Sequence, residues 1–243
     1  MQARDFEYVY DTKKEKVVGN EGLKAYTRKV FNYMMASLGL TAVISYLILR
    51  TGLISLFLRV SESGVGYTGL GTLVAWSPLF IIMYMSFSRT IGAKGSKIGL
   101  FTIAGLEGAS ISLLVLYAGV HNAFQAFFLT AILFGSMSLY GYITDKDLLG
   151  MGSFLIMAVW GLFLVSLFSI FFGGVGIWFS YAVVLIFTAL VAYETQQIKY
   201  IYSNFGGYGE TSDKLAVFCA LNLYLSFLNI FTAILNIMGN NRE

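Results

Sequence analysis

The chain has 243 residues, of which 57% are hydrophobic and 12% charged, and its mean hydropathy is +0.73. This composition excludes an ordinary soluble domain, and the net charge of +3 is not gathered into the basic face that nucleic-acid binding needs. With one His and one Cys, the sequence also excludes a zinc centre and an intrachain disulfide.

Seven apolar segments are long enough to cross a bilayer, which takes about 20 residues of helix. We therefore predict an all-α integral membrane protein with a seven-helix transmembrane domain at 30–239, a cytoplasmic N-terminal tail at 1–29 and a short C-terminal tail at 240–243. The predicted spans are 30–49, 69–87, 98–120, 123–142, 148–172, 175–198 and 215–238.

The positive charges predict the orientation of these spans. Of the 16 Lys and Arg, all but Arg50, Arg59 and Arg242 fall on the side of the N-terminus. Because Lys and Arg are enriched in cytoplasmic loops, we expect the N-terminus in the cytoplasm and the C-terminus outside, in an inner membrane. The tail 1–29 is polar and unlike a cleaved signal peptide, and we expect it to be flexible, with an amphipathic lead-in at 23–31.

Two charged residues stand out in the second and third spans. Arg89 ends the second span, where it is either an ordinary cytoplasmic anchor or a counter-ion for an acid at the same depth. Glu107 lies in the middle of the third span, where a charge costs about 2.5–3.5 kcal/mol, and its neighbours Gly105 and Gly108 let another helix come close. Glu107 is either a protonated structural group or a group that responds to protons or cations.

Glu194 lies near the cytoplasmic end of the sixth span, within the segment AYETQQIK at 192–199. Gln197 shares its helix face at i+3, and Lys199 follows. The side chain either extends to the interface as an ordinary acid or belongs to a polar interior site. No fixed metal site is predicted, and Ca²⁺ would contact Glu194 only transiently.

The last span carries a polar stripe, which predicts a helix inside the bundle. Asn222, Ser226, Asn229 and Asn236 recur at helical spacing, with Ala233 between them. In lipid, such side chains mark contacts between helices or contact with water, and both interpretations of the asparagines stay open. The sequence contains no nucleophile elbow, intramembrane aspartate pair or phosphate-binding glycine loop, so we expect neither an enzyme nor a bound cofactor.

Several segments together resemble the bacterial branch of the Bax-inhibitor (transmembrane Bax-inhibitor-motif) family. These are GLKAYTRKVFNYMM at 22–35, SLYGYITDKDL at 138–148 with GSFL at 152–155, AYETQQIK at 192–199 and LYLSFLNIF at 223–231. The resemblance covers nearly the whole chain, and the order and spacing of the segments make it specific.

The resemblance implies a seven-helix fold with the last helix surrounded by the other six. It also implies a pH-sensitive calcium leak, in which two aspartates of the last two helices share a proton. Here those positions carry Glu194 and Ser226, so the second group cannot ionise, and Arg89 is the counterpart of a latch arginine.

Two functions follow as hypotheses. The first is a passive, pH-modulated leak channel for calcium or other cations, with Glu194, Glu107, Ser226, Asn229 and Asn222 along the ion path or in pH sensing. The alternative is a non-conducting regulator that binds a membrane protease or another membrane complex, as some bacterial relatives do. The lipid bilayer is a partner in both cases.

Overall fold

The structure is a computed structural model that describes residues 3–61, 64–88, 91–172, 174–207 and 209–240. Within these ranges, seven helices are long and apolar enough to span a membrane, which confirms the predicted fold class. The helices are α1 (Ala3–Thr51), α2 (Gly69–Phe87), α3 (Ala93–Ala118), α4 (Val120–Ile143), α5 (Gly152–Phe172), α6 (Ile177–Phe205) and α7 (Glu210–Asn240).

Several helices extend beyond the predicted spans. The backbone of α1 is helical from Ala3, through most of the predicted tail, and its apolar part begins at Glu21. The helix α6 continues to Phe205 and α7 begins at Glu210. Only a short turn therefore separates the two helices, where the predicted spans left a longer loop at 200–214. An apolar run indicates which part of a helix lies within the membrane. The helix itself continues through polar residues until its backbone is capped.

Two glycines end helices at tight connections. Gly119, with φ of 88°, separates α3 from α4, and Gly206, with φ of 70°, ends α6. Residues that carry a side chain rarely adopt such positive φ values, so glycine permits both sharp turns. The segment between the first two predicted spans holds a 3₁₀ turn at Leu53–Leu56 and an antiparallel pair of strands, β1 (Leu58–Ser61) and β2 (Gly64–Tyr67).

The helix α7 forms the centre of the bundle. In its most apolar window 72% of the residues are buried, against at most 39% in the other spans. The helices α1, α3, α4 and α6 pack around α7, while α2 packs mainly on α3 and α5 on α6. The last helix is therefore central, but its principal neighbours are four helices rather than six.

The part of α1 from Tyr26 to Thr41 contacts this central helix through one regular stripe. Tyr26, Val30, Met34, Ser37 and Thr41 are all buried and recur at intervals of three and four residues. Since side chains at this spacing share one helix face, α1 lies along the bundle from Tyr26 onward.

Candidate functional site

The centre of the candidate site is a hydrogen bond between α6 and α7. Ser226 Oγ donates to Glu194 Oε2 at 2.9 Å, and the two residues are 1% and 7% exposed. A buried polar group is costly unless it has a hydrogen-bond partner, and Ser226 supplies one to the carboxyl group. The structure thus brings together the two residues that the resemblance had paired.

The residues after Glu194 attach α6 to the C-terminal end of α4. Thr195 and Ser138 share a buried hydrogen bond of 3.1 Å between their hydroxyls. One turn later, Lys199 Nζ donates to the carbonyl of Tyr142 at 2.7 Å, which satisfies one of the free carbonyls at the end of α4.

Gln196 fixes the loop that follows α4. Its Oε1 accepts a hydrogen bond from the Leu148 backbone N–H, and its Nε2 donates to the Lys146 carbonyl, each at 2.7 Å. The sequence had singled out Gln197 because of its i+3 spacing from Glu194. The structure instead gives the bridging role to Gln196, which no periodic pattern indicated.

Glycines allow these elements to approach closely. A Cβ atom on Gly141 would overlap the backbone of Ala192, and a Cβ atom on Gly152 would overlap the ring of Tyr193. The segments 138–148, 152–155 and 192–199, quoted above for the family resemblance, therefore meet in one tightly packed region around Glu194.

Glu107 lies elsewhere in the bundle. It is half-buried on α3, and among the described residues no hydrogen bond or ion pair joins it to Glu194 or to another group. The expected close approach of a neighbouring helix occurs beside it, since a Cβ atom on Gly108 would overlap the Thr41 carbonyl of α1.

A buried polar cluster near Glu107 was not predicted. Thr41 Oγ1 lies 2.8 Å from the Tyr224 hydroxyl and 2.9 Å from the Ala104 carbonyl, which links α1, α7 and α3. The cluster lies beside the part of α3 that carries Glu107, because the Thr41 carbonyl is packed against Gly108. Tyr224 gave no signal in the sequence because an aromatic residue at helical spacing is usual in any core.

The structure divides the predicted polar stripe of α7. Ser226 and Ala233 are buried, whereas Asn222 and Asn236 are exposed and Asn229 is half-buried, with its amide donating to the Leu225 carbonyl of its own helix at 2.8 Å. The asparagines belong to a less buried face that we call the outer stripe of α7. The outer stripe consists of Phe218, Asn222, Leu225, Asn229, Thr232 and Asn236.

The outer stripe is positioned between α3 and α6. Tyr224 and Phe227 lie on the opposite face of α7, which packs against α1 and α4. The Tyr224 hydroxyl contacts Thr41 of α1, and the Phe227 ring lies 5.6 Å from that of Phe134 of α4. Since α3 packs on α1 and α6 packs on α4, the outer stripe faces the space between α3 and α6, which we call the α3/α6 gap. Predicted residues Asn222 and Asn229 therefore face this gap, and Ser226 lies at its edge beside α6.

Arg89, the predicted latch, lies outside the described residues. Among the residues that the structure describes, no group of three or more His, Cys, Asp or Glu side chains could hold a metal ion.

Comparisons with known proteins agree with this architecture. The family model "Inhibitor of apoptosis-promoting Bax1" matches residues 23–243. An uncharacterised protein of Rickettsia prowazekii is 36% identical over 92% of this chain and 93% of its own, and one of Caulobacter vibrioides is 36% identical over 91% of each. The inner membrane protein YbhL of Escherichia coli K12 is 31% identical over 91% of this chain and 94% of its own.

Proposed function

Because this chain belongs to the family of inhibitors of apoptosis-promoting Bax1 and its described residues include seven helices that can span a membrane, we propose that it is a passive, pH-modulated leak channel for calcium or other cations. Calcium is the transported ion in this proposal and not a bound cofactor. No catalytic step is involved.

The observation that carries the proposal is the burial of Glu194 within the bundle. A carboxyl group there exists either charged or neutral, and only the charged form attracts a cation. Near a protein surface, unit charges 4 Å apart interact by about 4 kcal/mol, which is enough to change the occupancy of a path strongly. Ser226 hydrogen-bonds to the carboxyl group but cannot ionise, so a single acid would set the pH response without the coupled titration of a carboxylate pair.

The α3/α6 gap is the proposed route. Asn222 and Asn229 on the outer stripe of α7 offer amide oxygens, which are ligands that Ca²⁺ accepts. Glu107 on α3 is the second acidic group of the path, at a different position along it from Glu194. Arg89 is proposed from the sequence as the counter-ion that would hold Glu194 in a closed state.

The proposed location is an inner membrane, with the N-terminus in the cytoplasm and the C-terminus outside. Support comes from the excess of Lys and Arg on the N-terminal side and from the E. coli relative, whose name places that protein in the inner membrane.

Purified protein in liposomes that contain a calcium-sensitive dye tests the leak. We expect the flux through the wild type to rise with pH, because a larger fraction of Glu194 is then charged. Glu194→Gln removes the charge, so its flux should be about tenfold lower at alkaline pH, a change of about 1.4 kcal/mol, and nearly independent of pH. Glu21→Gln, which neutralises an exposed acid at the start of the α1 span, is the matched control. A wild type that matches empty liposomes at every pH would overturn the channel.

A non-conducting regulator of a membrane protease is the second candidate. It is favoured by the backbone of α1, which is helical from Ala3 although its membrane span begins at Glu21, so that a helical segment would extend from the bundle towards a partner. Crosslinking in native membranes followed by mass spectrometry, with and without residues 1–20, tests this function. Recovery of a protease with the full chain alone would support it, and the same background proteins in both samples would contradict it.

A further inference from the structure

A long lateral groove separates α1 from α4. Two cavities, of about 620 Å³ and about 320 Å³, open between these helices and share Leu38, Ala42, Phe127 and Phe227 in their linings. Because both cavities include these four residues, they form one continuous depression, which we call the α1/α4 groove. Phe227 of α7 is its floor.

Small residues leave the groove empty. A Cβ atom added to Gly39 on α1 or to Gly135 on α4 would meet nothing within 4 Å. In contrast, Gly108 and Gly141 are pressed against the backbone of a neighbouring helix. Close packing is the rule inside membrane bundles, so a gap of this size beside packed helices is a place where another apolar group fits.

The groove is polar at one end. The Thr27 hydroxyl lies in its wall, is inaccessible and has no hydrogen-bond partner. Ser138, Thr195 and Tyr142 line the same end, where Lys199 also donates to the Tyr142 carbonyl. These residues make this end of the groove polar, whereas the rest of its lining is almost wholly apolar.

Positive charge gathers at this polar end. Lys24 and Arg28 are exposed and precede Phe31 on the groove-facing side of α1 at helical spacing. The cations Lys24, Arg28, Lys146 and Lys199 outnumber the nearby carboxylates Glu21, Asp145 and Asp147, and Asp147 is already engaged with the Leu149 N–H.

We propose that the α1/α4 groove binds an anionic phospholipid, with one acyl chain along Phe31, Leu38 and Phe127 and the phosphate beside Lys24 and Arg28. The cavity at the polar end of the groove runs from Thr27 to Ala42, about 22 Å along α1 at 1.5 Å per residue, which exceeds the half-thickness of about 15 Å of a bilayer core, and the second cavity continues the groove to Leu49. A chain from one leaflet fits that length. A spanning helix of a partner would have no use for a phosphate-type site at one end only.

The probe is a phosphatidylglycerol with a photoreactive group in its acyl chain, incorporated into nanodiscs with the full-length protein. After illumination, peptide mapping should place most of the label on residues 31–42 and 127–139. Gly135→Phe and Gly39→Phe fill the groove and should each reduce that label at least fivefold. Gly161→Phe on α5, where an added Cβ atom also meets nothing within 4 Å, should leave it unchanged.

The headgroup is tested separately by competition with unlabelled phosphatidylglycerol or phosphatidylcholine. Wild type should favour phosphatidylglycerol severalfold, Lys24→Gln and Arg28→Gln should each weaken that preference, and Arg50→Gln, at the other end of the α1 span, should retain it. Label spread evenly over all seven helices would overturn the proposal, because it would indicate ordinary surrounding lipid. A protein chain crosslinked in the groove, whether a second copy or a partner, would overturn it as well. Neither readout depends on calcium flux.

Discussion

The two sides of α7 are built on opposite plans. On the α6 side, Gly141 of α4 brings the backbones of α4 and α6 into contact, and polar side chains bond between helices, as Ser226 of α7 does with Glu194 of α6. Beside α1 and α4, large aromatic residues such as Phe227 form a floor, and the glycines opposite face empty space. A glycine in a membrane helix can therefore indicate either a close contact with a neighbouring helix or an unfilled space beside it.

Two glycines of α4 give the strongest test of this contrast. Gly141→Leu should destabilise the protein by about 3 kcal/mol or more, because its side chain would overlap the backbone of Ala192, which cannot move aside alone. Gly135→Leu should stay within about 1 kcal/mol of wild type, because its side chain enters the groove. Chemical unfolding in detergent, followed by tryptophan fluorescence, measures both. Equal losses would mean that the two sides are packed alike.

Removal of the Ser226 hydroxyl should have the next largest effect. Ser226→Ala leaves Glu194 without its donor and should lower the free energy of unfolding by about 1–3 kcal/mol. Ser110→Ala is the matched control, because Ser110 makes only a long bond of 3.4 Å to its own helix. The same unfolding measurement applies, and similar values for the two variants would show that the bond to Glu194 contributes nothing.

Gln196 offers a more local test of the α6 side. Gln196→Leu breaks both bonds to the loop after α4 and should cost about 1–2 kcal/mol, with faster amide hydrogen exchange confined to residues 144–151. Gln197→Leu should leave exchange in that loop at the wild-type rate. Unchanged exchange in Gln196→Leu would contradict the bridging role.

The smallest effect is expected for a partly exposed ion pair that belongs to neither side of α7. Lys29 and Asp213 form an ion pair in which each side chain is 33% exposed. Asp213→Asn should therefore cost at most about 1 kcal/mol, and the difference should shrink at high salt because exposed charges are screened. A loss that persists in 1 M salt would show that the pair acts through packing instead of charge.

Hydropathy predicted the seven spans because lipid requires about 20 apolar residues whatever the packing. It could not predict the early start of α1 or the short turn between α6 and α7, because polar helical residues outside the bilayer carry no hydropathy signal. The central position of α7 followed from its polar stripe. The burial of individual residues in that stripe could not be predicted, because helical spacing shows that Asn222, Ser226 and Asn229 share a face without showing which of them another helix covers.

Other parts of the candidate site depend on distances between helices, which no single helix encodes. The pairing of Glu194 with Ser226 followed only from the family resemblance. The Thr41–Tyr224 cluster and the α1/α4 groove were missed because each arises where separate helices meet or fail to meet. Gln196 was missed because it bonds to backbone atoms, whose positions leave no mark on the residue pattern.

The bridge made by Gln196 also has a chemical consequence. A carboxamide presents one acceptor and one donor group, and the loop backbone offers it one N–H and one carbonyl in matching positions. Hydrolysis of that amide to a carboxylate, as in slow protein ageing, would turn an attraction into a repulsion between two oxygens. A single lost ammonia molecule would thus release the loop without altering the length or shape of the side chain.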